Sequence, residues 1–400
     1  MQLNIKIFFV YFLILAAINY GQEKNENSNT TEVDFLVSYY EQDGNNAAVT
    51  GGIGTEELND IATQIVINVP MNNGNKLSIS GGFDSYSSAS SDQIDPISTG
   101  ASGQDARVHI NGAYTFISDV TNSQYGFNLG LSKEYDYSSI SLGGSWAKSS
   151  EDGNSEINLA GQFFYDGVTL IYPMELRSLT TNPANYDFSN NSENRLTYSF
   201  SATYSQVLTK KLQASLNLDF VYQSGFLSTS FHRVYFEDES LSRIESLPNS
   251  RYKIPLGLRL NYYVSDFLIT RLHYRYYHDD FGIDASTFSL ELPLKLSETL
   301  TFSPFYRYHT QTAADYFVEF NKVSSADEFY TSDYDLSKFE SHKYGLGIRY
   351  YPLFGITDFS PPLLSNSITL KSLNLRAGYY ERSTGLNAFN VSLGFSFEVR

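Results

Sequence analysis

The C-terminal stretch, residues 386–400, leaves fewer folds open than any other part of this chain. Phe389, Val391, Leu393, Phe395, Phe397 and Val399 fall on one side of an extended strand, and Asn390, Ser392, Gly394, Ser396 and Glu398 on the other. A period of two carried to the end of a polypeptide is what a strand needs when hydrocarbon lies on one side and a wet lumen on the other. Such a strand must also satisfy its free edge, because unpaired amides and carbonyls are costly in hydrocarbon. The first strand of the chain is the expected partner, and a closed barrel the expected object.

The same alternation recurs upstream. Leu212, Ala214, Leu216, Leu218, Phe220 and Tyr222 alternate with Gln213, Ser215, Asn217, Asp219 and Val221, and Leu196, Tyr198, Phe200, Ala202 and Tyr204 alternate with Thr197, Ser199, Ser201, Thr203 and Ser205. Segments of about 9 to 14 residues, the length a tilted membrane strand requires, are predicted at 32–41, 60–69, 75–85, 106–117, 123–133, 137–148, 154–164, 195–207, 211–224, 252–264, 267–278, 284–296, 299–311, 342–352, 368–381 and 387–399. No segment reads as a convincing helix. The expected fold class is all-β, a single transmembrane antiparallel barrel of roughly 16 strands within a range of about 14 to 18.

Composition agrees with a barrel better than with a soluble core. Aromatics are 16%, with 32 Tyr and 29 Phe against one Trp, while charged residues are only 18%. A soluble domain would use more Leu, Ala, Lys and Glu; Tyr, Phe, Ser, Asn and Gly are residues of strands and interfacial girdles. The chain has no Cys, which removes disulfides, thiolate metal sites and lipoprotein acylation. A net charge of −17 and a pI near 4.7 argue against nucleic acid as a partner.

At the N-terminus Lys6 precedes an apolar run, 7–18, that gives way to small and polar residues through Gly21. This is the layout of a secretory signal peptide over 1–21, with an uncleaved anchor as the alternative. A polar tether, 22–31, then leads into the barrel, 32–400, which is read as one domain.

Connection lengths supply a second check. Bacterial barrels have short periplasmic turns and longer external loops. Counted from the first strand, the predicted periplasmic turns 70–75, 118–123, 149–154, 208–210, 265–266 and 297–298 are short, and the predicted external loops 42–59, 86–105, 166–195, 225–251 and 311–341 are long. Two connections depart from this: 351–367, long on the periplasmic side and carrying Pro361 and Pro362, and 133–136, a short external hairpin.

The second half carries its charge on one face. With Leu258, Leu260, Leu268, Leu272, Tyr274, Tyr306, Tyr308, Ile348, Tyr350, Leu373 and Leu375 toward lipid, Arg259, Arg271, His273, Arg275, Arg307, His309, Arg349 and Arg376 face the lumen. Charges facing lipid would cost about 2 to 4 kcal/mol each near the midplane, so the inward assignment is favoured. One reading is an internal ion-pair network, in which loop 312–341, with Asp315, Glu319, Asp327, Glu328, Asp333, Asp335 and Glu340, folds inward and neutralises this wall. The other is a basic constriction that selects anionic or zwitterionic solutes. The two are compatible.

Two loops near the start form a separate candidate. The Gly-rich run Val49, Thr50, Gly51, Gly52, Ile53, Gly54, Thr55, Glu56, Glu57, Leu58 follows the first strand, and the Ser/Ala/Asp-rich segment 84–107 follows the third. Small residues let backbones approach closely. Asp43, Glu56, Glu57, Asp92 and Asp95, with Asp60 and Asp105 nearby, would gather hard oxygen ligands for Ca²⁺ or Mg²⁺ if the loops meet. No EF-hand spacing is present, and an ordinary turn surface is the plainer reading.

Taken together, Tyr39, Tyr40, Glu41, Gln42, Asp43 and Gly44, the Gly-rich run and the segment ending at Arg107 resemble the signature of an uncharacterised Gram-negative outer-membrane family, domain of unknown function 3570. The resemblance implies a barrel-like fold in the cell outer membrane. It implies no assigned activity or ligand residue.

Catalytic signals are thin. His109, His232, His273, His278, His309 and His342 lie in no metalloprotease or nucleophile-elbow setting, and Gly51-Gly52-Ile53-Gly54 opens no helix. A triad assembled from separate strands would leave no motif, with His273 and His309 the first suspects. The expected function is a porin-like, non-enzymatic barrel passing or binding small solutes through a basic lumen. The alternative is a non-conducting envelope barrel, plugged by acidic loops, serving as scaffold or as a partner- or Ca²⁺-binding protein. The expected surroundings are outer-membrane lipids, lipopolysaccharide and a possible envelope protein partner, and no polar outer face marks an oligomer contact.

Overall fold

Pairing begins at the seam that the C-terminal pattern predicts. In the computed structural model, which describes residues 30–88, 104–176, 191–360 and 367–399, the β-segments in chain order are β1 (Thr31–Asp43), β2 (Leu58–Pro70), β3 (Lys76–Ser88), β4 (Gln104–Ser118), β5 (Ser123–Lys133), β6 (Tyr137–Ser149), β7 (Ser155–Thr169), β8 (Ser192–Thr209), β9 (Leu212–Gly225), β10 (Arg233–Val234), β11 (Arg243–Ile244), β12 (Ser250–Ser265), β13 (Leu268–Asp279), β14 (Asp284–Glu291), β15 (Leu294–Lys295), β16 (Leu300–Gln311), β17 (Phe339–Tyr350), β18 (Thr357–Phe359), β19 (Ile368–Arg382) and β20 (Asn387–Val399). β1 lies antiparallel to β2 on one edge and to β20 on the other, from Thr31 opposite Val399 to Asp43 opposite Asn387. Every wall strand pairs antiparallel with its neighbours, so the sheet closes as a 16-strand barrel with no free edge. The expected signal segment and the tether through residue 29 lie outside the described residues. Among the described residues no helix is long and apolar enough to cross a membrane.

Register turns the alternation of single strands into rings. Ile157, Tyr204, Leu216, Leu258, Tyr274 and Phe288 are successive partners across β7, β8, β9, β12, β13 and β14, each between 39% and 49% exposed. One residue along, Glu156, Ser205, Ser215, Arg259, His273, Ser289, Arg307 and Lys343 form the next row. Apolar side chains on the outside are thus ringed against polar ones within. A slip of one residue anywhere would exchange the two faces.

The predicted strands all form, with shifted ends. β7 continues to Thr169, β8 begins at Ser192, and β17 occupies 339–350. The segment predicted as 284–296 is split into β14 and β15 at Leu292 and Pro293, where proline has no N–H to offer the ladder. At one rim the links are short, as at Lys210–Lys211 between β8 and β9 and at Asp266–Phe267 between β12 and β13; the exception there, 351–367, adds β18 alongside the start of β19. The opposite rim carries the long loops, one of which holds the β10–β11 hairpin.

The apolar core does not fill the barrel. Among the described residues it sits in two places: at the short-turn end of the closure seam (Val33, Ile65, Ile67, Val69, Ile368, Val399), and within the long loops, where Leu247, Phe281, Ile283, Ala285 and Ala314 form one cluster and Val234, Phe236, Val323 and Tyr330 another. A sixteen-stranded wall is wide enough to leave an aqueous interior. Its walls are lined rather than packed.

Candidate functional site

The inward rows of β12, β13, β14, β16, β17 and β19 meet in a cavity of about 770 Å³. Arg259, Arg271, His273, Arg307 and Arg376 line it together with Lys343, Glu291, Phe305, Asn261 and Asn390. Strand register sets their order along the strands. Arg259, His273, Ser289, Arg307 and Lys343 share one level, and Asn261, Arg271, Glu291 and Phe305 the next level toward the short turns. Two residues along a strand separate the levels, about 7 Å.

Glu291 is the carboxylate at the centre of this wall. Arg271 Nη1 donates to its Oε1 at 2.9 Å, and both terminal nitrogens of Arg376 donate to its Oε2 at 3.1 Å. The Arg376 guanidinium also stacks over the Phe305 ring, 4.0 Å from its centroid. Phe305 lies across the inner face at Gly345, where an added Cβ would come within 2.5 Å of the ring. Glycine is required there by close approach. The three charged groups are open to the lumen, so these pairs stabilise the fold by about 1 kcal/mol or less each. Their consequence is positional: one carboxylate holds two guanidinium groups side by side.

Of the eight basic residues predicted to face inward, five line the cavity. Arg275 lies one level nearer the long loops; His309 contacts Thr287 Oγ1 at 2.8 Å and Gln311 at 3.3 Å; Arg349 sits near the short turns over the Tyr351 ring, 5.0 Å from its centroid. Lys343 and Glu291 were not singled out from sequence. Both could have been found: Lys343 is an even number of residues from Arg349, and Glu291 lies between outward Leu290 and the break at Pro293. Loop acids do not supply the counter-charge seen here, as the internal-network reading expected. Asp335 pairs instead with Arg382, at 2.5 Å.

Above the cavity the long loops meet across the mouth. β1 and β2 stand half the circumference from β9 and β12, yet Arg233 in the β9–β12 loop donates to the Val49 carbonyl in the β1–β2 loop, and the Tyr235 ring lies against Gly51. Arg233 also pairs with Glu175 of the β7–β8 loop at 2.5 Å, and its carbonyl accepts from Ser332 Oγ of the β16–β17 loop at 2.7 Å. Thr331 Oγ1 donates to Glu245 Oε1 at 2.5 Å, and Ser246 and Tyr330 exchange backbone hydrogen bonds at 3.1 and 2.7 Å. Contacts between hairpins on opposite sides of a ring necessarily cross its opening. The result is a cap.

Gly51 and Gly52 make the close approach possible. Both have positive φ, +85° and +84°, and a Cβ on Gly51 would lie 2.5 Å from the Tyr235 ring. Gly51→Ala is therefore expected to loosen the cap by about 1–3 kcal/mol, seen as faster proteolytic nicking of loop 226–249 with the barrel wall intact. Unchanged nicking would contradict this packing.

Charged groups inside the cap have shifted proton affinities. Burial pushes the Glu56 carboxyl up to about 7, with Arg382 opposing and Asp335 and Asp333 adding to the rise. Asp333 is also raised, first by burial, against the pull of His232. Burial opposes protonation of His232, but Glu245, 3.6 Å from its Nδ1, together with Asp333 and Asp335, raises it above the usual histidine range. Arg382, 2% exposed, lies between Asp335 and Glu56, its guanidinium 5.0 Å from the Phe339 ring centroid.

Of the acidic residues predicted to gather near the first loops, the described ones Asp43, Glu56 and Glu57 do not form one cluster. Glu56 turns to Arg382 and Gln42, while Asp43 and Glu57 are exposed. Asp92 and Asp95 lie outside the described residues. Asp105 does join two carboxylates, Glu134 and Asp136, with oxygens within 4.8 Å of one another. Tyr86 donates to Asp105 and Glu134 at 3.2 and 3.0 Å, and Arg107 faces Glu134 at 3.6 Å, so protein groups already answer much of that charge.

The family described as "Protein of unknown function (DUF3570)" matches residues 15–355. The chain belongs to this family. No curated protein matches it. Among solved structures, this DUF3570 barrel is similar to the ferric enterobactin receptor PfeA of Pseudomonas aeruginosa, at 12% identity and TM-score 0.45 over 90% of this chain and 55% of the receptor. It is also similar to a bacterial polysaccharide outer membrane secretin, at 11% identity and TM-score 0.45 over 93% of this chain and 99% of that one. OccK1 (OpdK) of Pseudomonas aeruginosa matches at 7% identity and TM-score 0.38 over 92% and 98%. The chain spans about half the length of the receptor. Barrel architecture is the extent of these likenesses.

Proposed function

We propose that this DUF3570 barrel is a non-enzymatic outer-membrane protein that binds small anionic solutes in its lumen and passes them. One observation carries the reading: Arg259, Arg271, Arg307, Lys343 and Arg376 face a single cavity that holds one carboxylate, Glu291, in a chain whose net charge is −17. Cations concentrated in the lumen of an otherwise acidic protein create a local field that attracts anions, as rings of charge do in pores. The exposed Ile, Leu, Tyr and Phe rows support a bilayer as the surroundings.

The test is electrical. Purified barrel in planar bilayers under a KCl gradient is expected to show discrete conductance steps with a reversal potential displaced toward that of chloride. Gln311 and Phe339 face one another in register, so a two-residue Asn-Gly turn can replace loop 312–338, and that variant is expected to give larger steps. A folded barrel that stays silent in both forms would end the passage reading.

The cap supports a second reading, a closed envelope barrel that serves as a scaffold for a partner. A partner that co-purifies with a silent barrel would favour it; isolation as a lone conducting species would remove it.

A further inference from the structure

We infer that Glu291 is the specificity-determining residue of the lumen: it holds the place of a solute's anionic group, so the cavity takes organic dianions that displace it. This rests on reading the lumen as an anion-binding site, but not on conduction. A free carboxylate bound by the wall would take the contacts that Glu291 takes now, one hydrogen bond from Arg271 and a two-nitrogen contact from Arg376, with Phe305 backing the guanidinium. The second anionic group has its own place. Arg259, Arg307 and Lys343 form the adjacent level, about 7 Å away along the strands. They leave a cationic locus beside the one that Glu291 occupies.

A monoanion meets that upper locus without disturbing Glu291, and binds through one level. A dianion with its charges several bonds apart spans both levels and displaces the Glu291 carboxylate toward the open lumen. Glu291 thereby sets the cost that a dianion pays to use the lower level, a cost that a monoanion held at the upper level does not meet, and so tempers the preference of this wall for dianions. It also keeps Arg271 and Arg376 from repelling one another when no solute is bound.

The experiment is equilibrium binding by calorimetry to the purified full-length barrel in detergent at low salt, with glutarate as the dianion and butyrate as the monoanion. Glu291→Gln and Glu291→Ala are expected to bind glutarate about tenfold more tightly than the parent, with butyrate changed much less. Arg376→Gln is expected to lose most of the glutarate preference. All variants are first checked for barrel folding by heat-modifiable gel mobility. Unchanged or weakened glutarate binding in both folded Glu291 variants would overturn the inference, as would an equal gain for butyrate. Glutarate binding that follows the expected order in a barrel that never conducts would leave the inference standing and overturn only the passage of solutes.

Discussion

Replacing Asp279 by Ala is expected to destabilise the long-loop rim by about 3–5 kcal/mol, the cost of stranding a buried charge. The Asp279 carboxylate is fully buried. It accepts from Arg251 through Nε at 3.0 Å and through Nη2, from the Tyr277 hydroxyl at 2.7 Å, and from the backbone N–H groups of Phe281 and Ile283, both at 3.0 Å. One side chain therefore shapes the β13–β14 turn, orients Arg251 over the Phe281 ring at 4.3 Å, and anchors the cap cluster around Phe281 and Ala314. Truncation leaves the Arg251 guanidinium buried without its carboxylate and two amides without their acceptor. Urea unfolding of barrel refolded in vesicles measures the loss, and Asp279→Asn, which keeps the shape and the amide contacts, is expected to lose less. Equal stability of the Ala variant and the parent would show that the rim does not depend on this hub.

The cap is expected to open more readily as pH rises from 5.5 to 8.5. Glu56 has a folded value of about 7 against 4.5 for the free group, so the closed cap binds that proton more tightly than the open one. Its closure is favoured at low pH, and the advantage is lost as pH rises through about 7. Asp333 is raised too, with the same sign. His232 lies above its free value of 6.5, so its contribution is complete below 6.5 and disappears as pH rises through the folded value. Arg382, which faces Glu56 and Asp335, opposes only part of the effect. Hydrogen exchange of loops 226–249 and 312–338, corrected for intrinsic rates, is expected to show about tenfold more opening at the alkaline end. Glu56→Gln is expected to flatten that dependence. Exchange independent of pH, or slower at high pH, would contradict the assignment.

The wall was legible in the sequence because each residue of a barrel strand faces one of two sides, exterior or lumen. Phe220 and Asp219 cannot exchange places without a penalty, so the alternation marks each strand, while its ends shift by up to about five residues. What alternation does not encode is height. Arg275, His309 and Arg349, expected on the same wall, stand by strand register above or below the cavity. The cap was legible in only one respect: the Gly51-Gly52 run marks a close approach of backbones. Its partner, the Tyr235 ring, lies in a loop with no periodicity to connect the two. The same limit explains the acidic residues. Carboxylates counted along a loop give no sign that Glu56 will turn to Arg382, a strand residue near the other end of the chain.

The contacts that cross the mouth also order the assembly of the molecule. Arg233 and Val49 are 184 residues apart, and Ser332 and the Ala48 carbonyl, 3.5 Å apart in space, are separated by 284. Those atoms can meet only after the intervening strands have been threaded and the hoop has shut, since closure of such long segments carries a large entropic barrier until the wall holds their ends in place. The cap is therefore expected to form after the wall, so that a newly closed barrel passes through a stage with its mouth uncovered.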